Sequence, residues 1–347
     1  PDSNEHVFDA MTPAQELKTA KPGTEYSFPI SFHGPKAVPL DAVIRWTAMS
    51  NPLTAPFSRL ALRLAFGLAA AGAAWAQAPL PVRWDELLAT DFPAAIQKAQ
   101  GTCLLPIGVI EKHGPHLPLG TDVINVRQAA IRGAELEYAI VFPEYYFGQI
   151  FEARHQPGTV AYSARLQLEV LQETADEMAR NGCKKVILVN GHGGNSHLLP
   201  YFAQSQLDRQ RDYVVYVCSG GVRSTAPERT RTPPAADGHA GVSETSRVMV
   251  SRPELVRMDR AESQSGADLK RQDLPQGVFT GIFWYSRFPE HYAGDASGAQ
   301  RLIGELDLKA SADNIASVIR SVKADRVSLR LQSEFQEKAR RPLETKQ

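Results

Sequence analysis

Four short apolar runs recur along the chain, at residues 103–110, 139–143, 185–190 and 213–218. The first is nearly continuous in its apolar character, as expected of a strand in a parallel sheet that is covered on both faces. A loop or turn of different composition follows each run. We therefore predict four buried strands.

Segments with the spacing of amphipathic helices separate these runs. In residues 165–181, apolar side chains recur on one helical face from Leu166 to Met178, and Asn181-Gly182 is typical of a helix end. Further helices are predicted at 93–100, from a cap at Thr121 or Asp122 to about 137, at about 195–209, from 239 onward and at about 297–322. Strands that alternate with helices predict an α/β fold, with three α/β/α layers around a mainly parallel sheet.

Length and charge narrow the possible classes of protein. The 347 residues suit one large α/β domain with extensions. We place the domain at 79–330 and a charged C-terminal tail at 331–347. Lys and Arg number 38, as do Asp and Glu, so the formal net charge is zero. Phosphate binding needs a basic surface, and nucleic acid is therefore not an expected partner.

The N-terminal part has the pattern of a secretory signal. Met49 opens a segment with Arg59 and Arg63, followed by a small-residue apolar run at 64–76 and an Ala-x-Ala end. We predict a signal peptide at 49–78, a periplasmic or secreted protein, and no stable membrane span after cleavage. An uncleaved amphipathic or buried helix, in a cytoplasmic protein, is the alternative. Residues 1–48 are an unassigned extension, outside the natural protein if Met49 is its start.

Two sequence features suggest structure rather than chemistry. Cys103, Cys183 and Cys218 are too few for a disulfide scaffold, and buried free thiols are expected. The long polar loop at 219–238 is expected to be mobile or to form a lid.

Histidines and carboxylates collect where the predicted strands end. Glu111 and His113 follow the first strand two residues apart, so extended backbone points both side chains the same way. The loop to Asp122 is rich in Gly and Pro and can fold back. His192 follows the third strand, and His239 with Glu244 lies at a later junction. Open α/β sheets bind ligands at these strand ends, so the residues are predicted to converge.

Each residue also has an ordinary structural interpretation. A histidine in a glycine-rich turn commonly caps or hydrogen-bonds the backbone, and an aspartate before a helix is more often a cap than a ligand. Glu244 can serve only to offset the helix dipole. The convergence of several such residues favours a site instead.

Together, Glu111, Asp122, Glu244, His113 and His192 form a mixed nitrogen and oxygen ligand set without thiolate. Such a set suits Zn, Mn or Fe(II). A bridging carboxylate typically holds two ions about 3.5–4 Å apart, which then generate hydroxide at neutral pH and polarise a carbonyl. His239 would remain free to carry a proton to a leaving nitrogen.

Several motifs resemble the creatininase family over roughly residues 84–322. They are Leu105-Pro106-Ile107-Gly108, Glu111-Lys112-His113-Gly114-Pro115-His116-Leu117-Pro118, Thr121-Asp122, Asn190-Gly191-His192-Gly193-Gly194-Asn195, and His239-Ala240-Gly241 with Glu244-Thr245-Ser246. The resemblance implies an α/β fold, hydrolysis of amide C–N bonds, two divalent metal ions per subunit and a homo-oligomer, often a hexamer.

The same resemblance assigns roles to individual residues. Glu111, His113, Asp122 and His192 are implied metal ligands, with Asp122 bridging. Glu244 is implied as the fifth ligand and as part of the catalytic pair with His239. Further candidates for contact with substrate or oxyanion are Gly193, Gly194, Asn195 and His155. Gly194 departs from creatininase proper, which has a metal-binding glutamate there, and this disfavours creatinine itself as the substrate.

Two functions of different kinds remain open from the sequence. The first is a metal-dependent amidohydrolase that uses a metal-activated hydroxide to cleave a C–N bond of a small (cyclic) amide or formamide. The alternative is an anion or small-ligand binding protein with a degenerate metal site, in which the glycine-rich turn cradles the ligand at a helix start.

Overall fold

The computed structural model describes residues 79–231 and 237–346, so the predicted signal peptide and the extension before it lie outside the described residues. Four strands form one sheet: β1 (Thr102–Ile107), β2 (Ile140–Val141), β3 (Lys185–Asn190) and β4 (Val214–Ser219). Their order is β2-β1-β3-β4, and every neighbouring pair is parallel. The predicted parallel sheet is confirmed.

Nine α-helices are described in these residue ranges. They are α1 (Phe92–Lys98), α2 (Thr121–Leu136), α3 (Ala164–Arg180), α4 (Asn195–Ser205), α5 (Pro227–Thr230), α6 (Val242–Ser251), α7 (Phe283–Arg287), α8 (Arg301–Ala324) and α9 (Ser328–Ala339). None of them has the length and apolar character needed to cross a bilayer. The last helix extends into the stretch expected to be a charged tail.

Alternating strand positions divide the core into two layers. On one face of the sheet, Leu105 and Leu188 pack with side chains of α1, α3 and α4. On the other face, Leu104 and Ile187 pack with side chains of α2 and α8. All four strand residues are fully buried. Burying one such side chain stabilises the folded state by roughly 1.5–3 kcal/mol. The predicted three-layer α/β/α arrangement is confirmed.

The strand order creates a crevice at the carboxyl end of the sheet. β1 and β3 are neighbours, but the chain leaves β1 through α2 toward β2 and leaves β3 through α4 toward β4. The two connections diverge, so the loops at 108–120 and 191–194 border the gap between them. Open α/β sheets bind ligands at such a switch point.

The start of α2 differs from the expected cap. Gly120 is the N-cap residue and no side chain caps the helix. The Thr121 hydroxyl instead donates to the carbonyl oxygen of Pro118, at 2.7 Å. Asp122 lies in the first turn, where the helix dipole favours its negative charge while its carboxylate remains available to the crevice.

The expectation of free buried thiols is wrong for two of the three cysteines. Cys103 on β1 and Cys183 just before β3 form a disulfide with a Cα–Cα distance of 5.7 Å. Because β1 and β3 pair side by side, residues 80 apart in sequence come within bonding reach. Cys218 is a free, half-buried thiol.

The described part of loop 219–238 is anchored rather than free to act as a lid. Arg229 is fully buried, and its Nε atom donates to Asp307 of α8 at 3.0 and 3.1 Å. The same guanidinium also donates to Asp237 and Ser243. A buried charge must be paired in this way, because an unpaired one costs several kcal/mol.

Replacing both Cys103 and Cys183 with alanine should lower the free energy of unfolding. The cross-link joins residues 80 apart, and chain entropy assigns such a loop a contribution of about 4 kcal/mol. Urea unfolding of the oxidised protein measures the change. Cys218→Ala is the matched control and should keep the midpoint. An unchanged midpoint in the double variant would show that the disulfide does not support the fold.

Candidate active site

The structure brings six predicted residues together at the carboxyl end of the sheet. Glu111 and His113 come from the loop after β1, Asp122 from the first turn of α2 and His192 from the turn after β3. His239 and Glu244 come from the loop and first turn of α6. Ligand atoms from these residues lie within 4.8 Å of one another in three overlapping groups, one of which also includes His291.

The first group joins Glu111, Asp122 and His192, all of which are buried. The Nδ1 atom of His192 lies 2.8 Å from Glu111 Oε1 and 2.9 Å from Asp122 Oδ2. Neither carboxylate oxygen has a hydrogen-bond partner. Buried carboxylate oxygens are rarely left unpaired, so this convergence fits a cation among the three atoms.

The second group centres on His113. Its Nδ1 atom lies 3.2 Å from the carbonyl oxygen of Glu111, and because a carbonyl only accepts, Nδ1 carries the hydrogen. In the neutral ring Nε2 then has the free lone pair, 3.1 Å from Asp122 Oδ1 and 3.8 Å from Glu244 Oε2. A metal-binding histidine commonly donates its other N–H to a carbonyl in this way.

Asp122 connects the two groups. Its Oδ2 atom faces His192 and Glu111, whereas its Oδ1 atom faces His113. A carboxylate with one oxygen toward each of two nitrogen and oxygen ligand sets is suited to bridge two divalent ions.

The pKa shifts reflect three carboxylates crowded into a buried space. Burial alone would raise the pKa of Glu111, but the charges of His192 and His239 hold it well below its usual range. Burial alone would lower the pKa of His113, yet Asp122, Glu111 and Glu244 raise it to about 10. The carboxylates likewise raise the pKa of His192 well above its usual value. The cluster therefore strongly favours positive charge, whether from protons or from metal ions.

His239 and Glu244 are held by backbone groups. The Ala240 N–H donates to Glu244 Oε2 at 2.6 Å, with Ala240 in the left-handed region at φ 59°. His239 Nε2 donates to the carbonyl oxygen of Lys112 at 2.8 Å, which leaves the lone pair on Nδ1. Burial lowers the pKa of His239 to about 4, so its ring is neutral near pH 7.

His291 is a site residue that the sequence analysis missed. It is buried, and its Nε2 atom contacts Glu111 Oε2. Its Nδ1 atom lies 3.0 Å from Trp284 Nε1, and an indole N–H only donates, so His291 Nε2 carries the hydrogen. His291 therefore donates to Glu111 and orients it, rather than binding a metal itself. Its φ of 51° is unusual for a residue other than glycine and typical of functional sites.

Glu152 is a second missed residue, and it explains the glycine at position 194. Its Oε1 atom lies 3.9 Å from His192 Nε2, and its Oε2 atom accepts from Gln149 Nε2 at 3.0 Å. A Cβ atom on Gly194 would lie 2.6 Å from His192 Nε2 and 2.8 Å from Glu152 Oε1. Position 194 therefore has no room for a side chain while Glu152 occupies this space.

The remaining predicted contact residues lie in different places. Gly193 lines the cavity, and a Cβ atom there would meet nothing within 4 Å. Asn195 is fully buried and its Oδ1 atom accepts from the Gln149 N–H at 2.9 Å, so it fixes the loop that carries Glu152. His155 is exposed and hydrogen-bonds the Pro289 carbonyl oxygen at 2.7 Å, two residues before His291. Neither Asn195 nor His155 lines the cavity.

A cavity of about 830 Å³ opens above the cluster. Glu111, His192, His239 and Glu244 line it, together with His291 and Glu152. Its position at the topological switch point and its buried polar residues are those expected of a catalytic site.

Comparison with known proteins identifies a family of related hydrolases. The family model for creatininase, described as creatinine amidohydrolase, matches residues 85–319. Creatinine amidohydrolase of Pseudomonas putida is 28% identical over 259 residues, which are 68% of this chain and 95% of that protein. The mycofactocin precursor peptide peptidase of Mycolicibacterium smegmatis is 30% identical over 65% of this chain and 87% of its own length.

Solved structures show the same relationship. A manganese creatininase covers 71% of this chain and 100% of its own length, with 25% identity and a TM-score of 0.60. A Zn–Zn form of a creatininase variant covers 71% of this chain and 99% of its own length, with 25% identity and a TM-score of 0.59. The chain therefore belongs to the creatininase family and is a hydrolase that acts on carbon–nitrogen bonds.

Proposed function

We propose that this chain is a metal-dependent amidohydrolase that cleaves a C–N bond of a small amide, cyclic amide or formamide. The observation that carries the proposal is the position of Asp122. Its two oxygens face two separate sets of buried nitrogen and oxygen ligands. One set holds Glu111 and His192, and the other holds His113 and Glu244.

The ligand chemistry supports two divalent ions per subunit, with zinc, manganese or Fe(II) as candidates. The similar creatininase structures include a manganese form and a Zn–Zn form. When bound, such ions supply Lewis acidity toward a carbonyl and a nucleophile from water at neutral pH.

The chain's own residues would position the substrate and move a proton. His239 has its Nε2 hydrogen committed to Lys112, so its Nδ1 atom is the one that can accept a proton and pass it to the leaving nitrogen. Its lowered pKa keeps this atom unprotonated before reaction. Gly193 lines the cavity at the start of α4, where backbone N–H groups favour developing negative charge.

The lining of the cavity argues against the alternative of an anion-binding protein. Four carboxylates, those of Glu111, Glu152, Asp237 and Glu244, line the cavity. Among the described lining residues there is no lysine or arginine. Asp237 is paired with Arg229, but the other three carboxylates would repel an anion, and a helix start alone does not offset them.

Comparing Asp122→Ala with His239→Gln should separate metal binding from proton transfer. The wild-type protein should hold about two ions per chain, whereas the Asp122 variant should lose both metal and activity. His239→Gln should keep the metal and lose ~10²–10⁴-fold in kcat. Elemental analysis by mass spectrometry, with turnover of a panel of formamides, lactams and cyclic amides, checks both. Full metal content in the Asp122 variant would contradict its bridging role.

Removing the His291 side chain should weaken metal binding without touching a ligand. In His291→Ala, Glu111 Oε2 loses its imidazole donor, and the loss of such a partner typically costs about 10–100-fold in metal affinity. Competition with a chromophoric chelator measures the affinity. His197→Ala is a suitable control, because His197 is exposed and lines the cavity outside the cluster. Equal affinity in both variants would exclude an orienting role for His291.

We further propose that the protein is exported through the 49–78 signal and assembles as a homo-oligomer, a hexamer by family resemblance. The Cys103–Cys183 disulfide supports an oxidising compartment. Cell fractionation followed by N-terminal sequencing should find a mature chain that starts near residue 79, and light scattering on that material gives its assembly. A cytoplasmic chain that retains residues before 79 would contradict export.

A further inference from the structure

The cavity is larger than the reacting group alone requires. Its volume of about 830 Å³ lies within the range of roughly 300–1,000 Å³ that is typical of sites for drug-sized ligands. The metal-binding cluster occupies only part of the lining. The other lining residues therefore have room to contact a substantial portion of the substrate beyond its amide.

Large apolar side chains line the rest of the cavity and remain exposed. Phe279 is 72% exposed, Tyr201 63%, Phe151 43% and Phe283 39%. They come from separate elements, since Tyr201 lies on α4, Phe283 begins α7 and Phe151 begins a short 3-10 turn. Scattered exposed apolar residues are ordinary, but four that line one cavity, with the Phe279 and Phe283 rings 6.3 Å apart, are typical of a binding site.

One carboxylate of the cavity lining, that of Glu152, lies outside the metal-binding cluster and has no arginine partner among the described residues. Asp237 is paired with Arg229, and the other carboxylates except Glu152 belong to the metal-binding cluster. Glu152 has a side chain that is 19% exposed, and its contacts are with Gln149 and His192. Its negative charge is therefore not offset by a lysine or arginine and faces the cavity.

From these observations we infer the class of substrate. It is an amide that carries a bulky apolar group, preferably aromatic, and it bears no carboxylate or phosphate beside that group. The apolar group lies against Phe279, Phe283 and Tyr201, while Glu152 favours a neutral or cationic neighbour. This inference rests on the proposed amide hydrolysis and specifies which amides the site takes.

Two matched pairs of formamides test the inference with the metal-loaded protein. N-benzylformamide should exceed N-methylformamide in kcat/KM by about tenfold or more, because apolar contacts discriminate at this level. N-formylphenylalaninamide should likewise have a higher kcat/KM than N-formylphenylalanine, which carries a carboxylate in place of the carboxamide. Calorimetric binding of the same four compounds to His239→Gln gives a readout that does not need turnover.

Variants identify which side chains cause the benzyl preference and which cause the discrimination against the carboxylate. The double change Phe279→Ala and Phe283→Ala should abolish the benzyl preference in both binding and kcat/KM. Phe335→Ala should keep it, since Phe335 is 45% exposed on α9 and does not line the cavity. Glu152→Gln should reduce the discrimination against N-formylphenylalanine, whereas Glu337→Gln, an exposed change on α9, should not.

The possible failures are distinguishable. Hydrolysis of N-methylformamide and N-benzylformamide at equal rates, or a benzyl preference that survives the double change, would overturn the inferred substrate class and leave the proposed hydrolysis intact. Selective binding of the benzyl compound without hydrolysis of any amide in the broader panel would overturn the proposed hydrolysis and support the apolar site. Equal binding of all four compounds would overturn the inference directly.

Discussion

The carboxylate of Asp122 is the constraint on which the site depends. Its oxygens serve two ligand sets, one with Glu111 and His192 and one with His113. Three carboxylates in such a small buried space repel one another and are costly to desolvate, unless positive charge lies between them. This requirement accounts for the strongly raised pKa values of His113 and His192 and for the suitability of the cluster for divalent ions.

The parts of the site that follow strand ends were predictable from the sequence. Parallel strands bring their carboxyl ends to one edge, so Glu111, His113 and His192 converge once the four apolar runs are recognised. His291 gave no comparable signal, because it lies in an aromatic segment and enters the site through a left-handed backbone conformation. The disulfide was missed for a related reason: only the pairing of β1 with β3 brings Cys103 beside Cys183.

Gly194 shows how the absence of one side chain changes the packing of a neighbouring loop. The glycine lacks a carboxylate, but its missing side chain leaves space that Glu152 and Gln149 fill. Asn195, next in sequence, accepts a hydrogen bond from the Gln149 backbone and so couples the two loops. Glu152 thus lies 3.9 Å from Nε2 of His192, whereas Glu111 and Asp122 face the Nδ1 atom of the same ring. Sequence spacing alone could not reveal this contact, since 40 positions separate Glu152 from His192.

In the proposed function, chemistry and selectivity belong to different parts of the cavity. At its base, the clustered histidines and carboxylates come from strand ends and first helical turns, and partners such as His291, Trp284 and the backbone of Lys112 fix their orientation. Toward the solvent, exposed aromatic side chains from several separate elements line the cavity. Rigid support of the reacting groups is what precise catalysis needs, whereas side chains on loops and short turns can change without disturbing the core. A family with one arrangement of histidines and carboxylates can thereby act on different amides, and under the inferred substrate class the aromatic side chains of this cavity select among them.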